Sequence, residues 1–182
     1  MKELLTLVND QDEVIGSDVR DNIHEKGLLH RGVSVYFVTP DKQIIFQHRS
    51  KDKRIYADLL DSTVGGGVVL GDSYEKTAIK ETLEETGVEL CEKDLLFIKK
   101  SKELLDDDNS EKICNSFASR YLYVYRGRME DLKPEEGKVI GFESWPIGKL
   151  LNLNESERAR FIPERLRFVI QDLADFIQDL KL

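Results

Sequence analysis

The chain has 182 residues, and 27 lysine and arginine residues against 35 aspartate and glutamate residues give it a formal net charge of −8. Its 40% hydrophobic content is enough for a buried core, and its length predicts a single domain over residues 1–182. The acidic balance disfavours nucleic-acid binding, which depends on basic surfaces. The N-terminal sequence MKELLTLVNDQDEVIG lacks a long apolar run, so we expect a cytoplasmic protein with no membrane partner.

Short runs of β-branched and aromatic residues predict strands along much of the chain. Residues 4–15 read as a strand and a turn, with Asn9-Asp10-Gln11-Asp12 at the bend. Pro40-Asp41-Lys42 predicts a turn between two further strands. The remaining predicted strands cover residues 32–39, 43–48, 95–98, 117–125 and 139–145.

Two segments have helical periodicity. Residues 73–85 predict a helix with Asp72 or Ser73 as its N-cap and Gly87 at its end. Residues 162–180 carry apolar side chains at intervals of three and four, which predicts an amphipathic terminal helix. We expect its apolar stripe to face the core, with a homodimer interface as the alternative. Strands and helices mixed in this way indicate a layered α/β sandwich.

The acidic segment at residues 103–112 (ELLDDDNSEK) is predicted to be a mobile surface loop. Loops of this kind determine specificity in many folds, so we expect this segment to select the substrate. Cys91 and Cys114 are far apart and form no C-x-x-C motif. We therefore expect two ordinary thiols and no disulfide.

The candidate functional residues are concentrated at residues 66–88, which have the sequence GGVVLGDSYEKTAIKETLEETGV. A glycine-rich loop is predicted at Gly65, Gly66 and Gly67, where backbone can approach a ligand closely. In the helix that follows, Glu81, Glu84 and Glu85 have the spacing i, i+3 and i+4, which places them on one face. Clustered carboxylates suit Mg²⁺ or Mn²⁺. The alternative is a solvated acidic face.

The opposite arc of this helix is expected to pack on a sheet. Its residues are Ala78, Ile79, Thr82 and Leu83. With that arc buried, the three glutamates would turn into a cleft.

This segment resembles the Nudix box, whose family pattern is G-x5-E-x7-R-E-U-x-E-E-x-G-U, with U an aliphatic residue. The matching residues are Gly66, Glu81, Glu84, Glu85, Gly87 and Val88. Three positions depart from the pattern. Asp72 replaces the first glutamate, Lys80 the arginine and Thr82 the first aliphatic residue. Lys80 keeps the charge but loses the planar fork that can bind two carboxylates.

The resemblance implies a Nudix-type α/β/α sandwich with a mixed β-sheet and a C-terminal helix, built as one Nudix domain. It also implies a hydrolase that cleaves a diphosphate linkage in a small molecule such as a nucleoside diphosphate derivative. Mg²⁺ or Mn²⁺ would be bound by Glu81, Glu84 and Glu85. The catalytic candidates are Glu84, Glu85 and Glu136, although Glu136 also fits an exposed turn.

Substrate phosphates need cations that the acidic helix does not supply. Arg49 and Lys53 lie just before the glycine segment and are the candidates, with a solvent-facing charge run as the alternative. Gly65, Gly66 and Gly67 complete the predicted substrate-binding set. A nucleotide-binding module that has lost its chemistry is a second functional hypothesis, supported by the three departures from the box.

Outside the box, several stretches resemble the Nudix subgroup related to isopentenyl-diphosphate isomerase, including residues 24–31, 47–53 and 60–66. In the isomerases, a cysteine and a histidine occupy the positions of Gly65 and Gly67, so we expect hydrolysis instead of isomerisation. His24 and His30 are predicted to be structural. The alternative, an isomerase-like metal site, lacks a third histidine at Gly67.

Overall fold

The computed structural model of the chain describes residues 3–53, 55–107, 110 and 112–180. Within them, the strands that sequence patterns predict are present, and short strands at residues 60–61 and 64–67 join them. The nine strands are β1 Leu4–Val8, β2 Val14–Val19, β3 His30–Val38, β4 Gln43–Arg49, β5 Leu60–Asp61, β6 Val64–Gly67, β7 Leu96–Asp106, β8 Ile113–Val124 and β9 Val139–Pro146.

The central strand of this mixed sheet is β3. Along one edge it pairs in parallel with β8, from His30 opposite Ser116 to Val38 opposite Val124. Its antiparallel partners are β1, β6 and β4. The sheet extends further because β4 also pairs with β5 and β9, β1 with β2, and β8 with β7.

In the part of the chain that the structure describes, six α-helices accompany the sheet: α1 Arg20–Lys26, α2 Tyr74–Thr86, α3 Ile147–Leu150, α4 Glu155–Arg158, α5 Pro163–Phe168 and α6 Ala174–Asp179. A π-helical segment, Val169–Leu173, joins α5 to α6. The predicted terminal helix is therefore present with an inserted π turn, which its sequence periodicity did not reveal. In the described ranges, no helix is both long and apolar enough to cross a membrane.

Alternation along β3 creates two cores. Tyr36 and Val38 pack on one side with the terminal helical segment. Val35 and Phe37 pack on the other side with Ala78 of α2. The predicted α/β/α sandwich is thus confirmed. The stripe residues of the terminal segment that are fully enclosed in the first core are Leu166, Val169, Leu173 and Ile177, so core packing already uses the face considered for a homodimer.

Two segments predicted to be loops are strands in whole or in part, so these predictions are wrong. Residues 103–106 belong to β7, and Glu103 is buried because it forms ion pairs with the guanidinium groups of Arg120 and Arg165. Of the rest of the predicted 103–112 loop, residues 108, 109 and 111 lie outside the described residues. The predicted glycine loop at residues 65–67 is the strand β6, paired with β3.

Glu103 is expected to be critical for stability. Replacing it with glutamine would leave two buried guanidinium groups without its charge, and losing one partner of a buried ion pair costs about 3–5 kcal/mol. We expect the free energy of unfolding to fall by about 3 kcal/mol in urea titrations. The control is Glu130→Gln, since Glu130 is exposed. A loss in Glu103→Gln no larger than in this control would contradict the prediction.

Candidate active site

Helix α2 has well-defined ends that fix the register of its acidic residues. Ser73 is the N-cap, and its side chain accepts a hydrogen bond from the Lys76 backbone N–H at 3.1 Å. Gly87 ends the helix with φ of 73°, and its N–H donates to the Leu83 carbonyl at 2.9 Å. The predicted helix is confirmed, with Ser73 as the N-cap, and Asp72 instead accepts from the Lys76 ammonium at 2.6 Å.

Glu85 lies against β6, and hydrogen bonds fix its orientation. Its Oε2 atom accepts from the Gly65 backbone N–H at 3.0 Å and from Gln47 Nε2 at 3.2 Å. The side chain is 5% exposed. These two hydrogen bonds therefore fix one oxygen of the Glu85 carboxylate to the sheet.

Glu81 is one helical turn away and packs on the neighbouring glycine. A Cβ atom built on Gly66 would lie 2.4 Å from Glu81 Cδ, so only glycine leaves room for this side chain. Glu84 is on the same helix but exposed, and it pairs with Lys80 at 3.8 Å. The structure thus places Glu81 and Glu85 against β6, whereas Glu84 lies on the exposed side of the same helix.

The predicted sheet-facing arc of α2 is only partly correct. Ala78 and Thr82 are fully buried, and the Thr82 hydroxyl donates to the Ala78 carbonyl at 2.7 Å. Leu83 is 48% exposed, whereas Glu81 and Glu85 are buried. The helix is rotated so that two acids face the sheet, because Gly65 and Gly66 leave space for their side chains.

Burial makes these acids unfavourable as isolated anions. Loss of solvation raises the pKa of Glu85 to about 8, against the opposing Gly65 hydrogen bond, and the Glu81 charge raises it further. Burial also raises the pKa of Glu81. Two buried carboxyls with raised pKa values are stabilised either by protonation or by a nearby cation, and their oxygen donors suit a hard divalent metal ion.

The raised pKa of Glu85 predicts how the stability of the metal-free protein depends on pH. The carboxyl ionises near pH 4.5 when unfolded and near pH 8 when folded. The unfolded state therefore releases its proton first, and the free energy of unfolding should fall from pH 4.5 to pH 8 by a few kcal/mol. Chemical denaturation in EDTA would measure this fall. It should be much smaller in Glu85→Gln, where only the raised pKa of Glu81 still contributes, and equal slopes in both proteins would contradict the assignment.

The basic residues near the site have different roles. Arg49 donates to the carbonyls of Ile55 and Tyr56 and to Asp61, each at 2.8–3.0 Å, so its guanidinium holds the chain after β4. Burial and the Arg49 charge lower the pKa of the Lys53 ammonium, and the Glu85 charge opposes this shift. Lys53 therefore interacts electrostatically with one of the predicted metal ligands.

Lys138 is a further basic residue near the glutamates, which the sequence patterns did not single out. Lys138 pairs with Glu135 at 2.6 Å, which raises the pKa of its ammonium, and it also interacts electrostatically with Glu85 and Glu81. The sequence PEEGK at residues 134–138 contains both Glu136 and Lys138, but only Glu136 was predicted to have a functional role. Glu136 is exposed in the turn before β9, and its predicted catalytic role remains a prediction.

A cavity of about 130 Å³ borders the same glycine strand. Its wall includes Gly65, Gly66, Gly67, Arg20 and Arg49, together with His24, His30 and Cys114. No local sequence pattern connects Cys114 with His30, because the parallel β3–β8 pairing brings together residues 84 positions apart.

Comparison with known proteins identifies the family. The NUDIX domain model matches residues 28–165. An uncharacterized Nudix hydrolase from Streptomyces coelicolor is 34% identical over 85 residues, which cover 47% of each chain. Isopentenyl-diphosphate Delta-isomerase 2 of Photorhabdus laumondii is 33% identical over 87 residues, covering 48% of this chain and 49% of that protein.

The matched stretches thus span about half the length of these relatives. A crystal structure from Deinococcus radiodurans superposes with a TM-score of 0.62 at 23% identity, and covers 99% of this chain and 100% of the other. This similarity extends the shared fold over the whole chain. Because the family model matches most of the sequence and includes the segment with the three glutamates, the chain belongs to the Nudix family.

Proposed function

We propose that the chain is a single Nudix domain over residues 1–182 that uses Mg²⁺ or Mn²⁺ to hydrolyse a diphosphate linkage. The substrate would be a nucleoside diphosphate derivative or a related small molecule. The observation that carries this proposal is the burial of Glu81 and Glu85 side by side against β6, with Glu84 on the same helix. Hard oxygen donors of this kind are the ligands that Mg²⁺ and Mn²⁺ prefer.

In this proposal Glu81, Glu84 and Glu85 hold the metal. When bound, the ion would neutralise the diphosphate charge and lower the pKa of the attacking water. Gln47 and the Gly65 N–H orient Glu85. The proton of the water would pass to Glu84 or Glu85, with Glu136 as the alternative base. Glu84 is the most accessible of the three glutamates on α2, with its side chain 48% exposed.

Substrate phosphates would be bound by Lys53 and by the backbone of Gly65, Gly66 and Gly67. Arg49 also stays in the proposed substrate-binding set, although it is already hydrogen-bonded to the chain after β4. Through those bonds it would shape the pocket as well as contact phosphate. The expected partner is a small-molecule diphosphate in the cytoplasm.

A substrate panel tests this proposal. Purified protein would be incubated with nucleoside diphosphate derivatives and with isopentenyl diphosphate, with Mg²⁺, Mn²⁺ or EDTA. Inorganic phosphate, mononucleotide and allylic isomer would be measured separately. We expect metal-dependent diphosphate cleavage, reduced at least about 100-fold in Glu84→Gln. Glu89→Gln is the control, because Glu89 is exposed beyond the end of α2.

Other outcomes would support the other hypotheses. Tight nucleotide binding that is indifferent to Mg²⁺ and gives no product would indicate a binding module. Lys80, which replaces the arginine of the Nudix box, is the departure most relevant to the binding-module hypothesis. Its ammonium contacts Glu3 at 3.3 Å and, among the three glutamates, pairs with Glu84. Conversion of isopentenyl diphosphate to its isomer would favour the activity named for the Photorhabdus laumondii relative.

A further inference from the structure

A second group of potential metal ligands lies in the cavity, apart from the glutamates of α2. His24 is on α1, His30 begins β3 and Cys114 lies near the start of β8. One ligand atom from each residue can be chosen so that all three lie within 4.8 Å of one another. Two consecutive elements and a strand 84 residues further along the chain therefore converge on one point.

We propose that His24, His30 and Cys114 form a binding site for a transition-metal ion, with Zn²⁺ the best match to the donors. Two imidazoles and a thiol are borderline-soft ligands, which favour Zn²⁺ over Mg²⁺. This site goes beyond the proposed hydrolase function and does not depend on it. Its donors are also different in kind from the hard carboxylates on α2.

The distances suit a single ion. Zn–N bonds of about 2.0 Å and Zn–S bonds of about 2.3 Å at tetrahedral angles place neighbouring ligand atoms about 3.5 Å apart. Cys114 Sγ lies 3.9 Å from His30 Nε2. The two imidazole rings have centroids 5.5 Å apart. Small side-chain adjustments would thus complete the coordination.

The orientation of His30 also suits metal binding. Its Nδ1 atom is 3.1 Å from the Leu28 carbonyl oxygen. A carbonyl only accepts hydrogen bonds, so Nδ1 carries the proton and the lone pair of a neutral imidazole lies on Nε2. That atom is the one facing Cys114. A backbone carbonyl that fixes the tautomer in this way is a common outer partner of metal-bound histidine.

The surrounding charges allow a cation. Arg20 and Lys112 are the positive groups that act on His24. Each already has an acidic partner, since Arg20 lies 3.8 Å from Glu3, and Lys112 lies 3.6 Å from Asp21 and 3.3 Å from Glu25. A thiolate ligand would supply one further negative charge at the site.

The site opens onto the cavity beside β6. All three ligands line the wall of the 130 Å³ cavity, together with Gly65, Gly66 and Gly67. Three protein ligands next to a cavity leave a fourth coordination position for water or a substrate group, as in catalytic zinc sites. The bound ion would therefore be accessible from this cavity.

Cobalt spectroscopy of the full chain tests the site. Metal-free protein would be titrated with Co²⁺ in excess Mg²⁺, following the near-ultraviolet thiolate-to-cobalt charge-transfer band. We expect the band to saturate at one equivalent in the wild type, Cys91→Ser and Glu84→Gln, and to be lost in Cys114→Ser and His30→Gln. Absence of the band in the wild type, or its persistence in Cys114→Ser, would overturn the proposal. Glu84→Gln separates this result from any failure of the hydrolase assignment.

A second measurement uses the wild type alone, in case the variants do not fold. Alkylation of each cysteine would be followed by peptide mass spectrometry with and without Zn²⁺. Because a metal-bound thiolate is a poor nucleophile, we expect Zn²⁺ to slow the labelling of Cys114 by about tenfold or more. Cys91 is exposed and should be unaffected. Equal labelling of Cys114 with and without Zn²⁺ would rule out the site.

Discussion

Glu85→Gln is expected to reduce kcat/KM for the cleaved diphosphate by about a thousandfold, which corresponds to about 4 kcal/mol of transition-state stabilisation. Glutamine keeps the size of the side chain and can still accept from the Gly65 N–H. It lacks the negative charge that compensates a divalent ion. The loss should therefore appear both in kcat and in the Mn²⁺ affinity, measured by steady-state kinetics and calorimetry.

The same substitution should have the opposite effect on stability. Burial raises the pKa of Glu85 to about 8, so its ionised form destabilises the metal-free fold at neutral and alkaline pH. Glu85→Gln removes this charge and should raise the Tm in EDTA. Loss of activity with a gain in stability would separate a direct catalytic effect from misfolding. Unchanged kcat/KM, or a change equal to that in Glu89→Gln, would contradict the role of Glu85.

Local sequence patterns were sufficient to predict α2 and the grouping of its acids. Helix ends depend on short-range interactions, and both the Ser73 N-cap and the Gly87 C-cap lie within a few residues of the backbone groups that they satisfy. The spacing of Glu81, Glu84 and Glu85 then follows from the helical repeat. The strands β3, β4 and β9 were also predicted close to their observed bounds, whereas β7 and β8 are longer than predicted.

Features that depend on contacts between distant segments were not predictable. The sequence placed Leu83 on the sheet and the acids in a cleft, whereas the structure buries Glu81 and Glu85 against β6. That orientation depends on space above Gly66, which no helical periodicity can show. Glu103 resembled part of an acidic loop because its partners, Arg120 and Arg165, are 17 and 62 residues away.

The ligand set in the cavity is the clearest example of a feature that local sequence patterns could not predict. His24 and His30 were predicted to be structural because no third ligand was visible at Gly67. Cys114 reaches His30 only through the parallel pairing of β3 with β8. Strand order in a sheet is set by the whole chain, so a ligand set divided between three elements gives no local signal.

Space above Gly66 is expected to be as important for activity as the glutamates themselves. In Gly66→Ala, the new methyl group would lie 2.4 Å from Glu81 Cδ and 2.6 Å from Oε1, and must displace the carboxylate. We expect an activity loss of about 100-fold or more and weaker Mn²⁺ binding, with about 1–3 kcal/mol of destabilisation from overpacking. Gly141→Ala is the matched control, since a Cβ atom on this β9 residue would meet nothing within 4 Å.

A double-mutant cycle tests whether the effect of Gly66→Ala acts through Glu81. Glu81→Ala removes the side chain that the new methyl group would strike, so adding Gly66→Ala to it should cost little further activity or stability. Two variants that touch the same contact are expected to be strongly non-additive. If Gly66→Ala instead caused the same fold loss in both backgrounds, the close approach of Gly66 to Glu81 would not explain the need for glycine at this position.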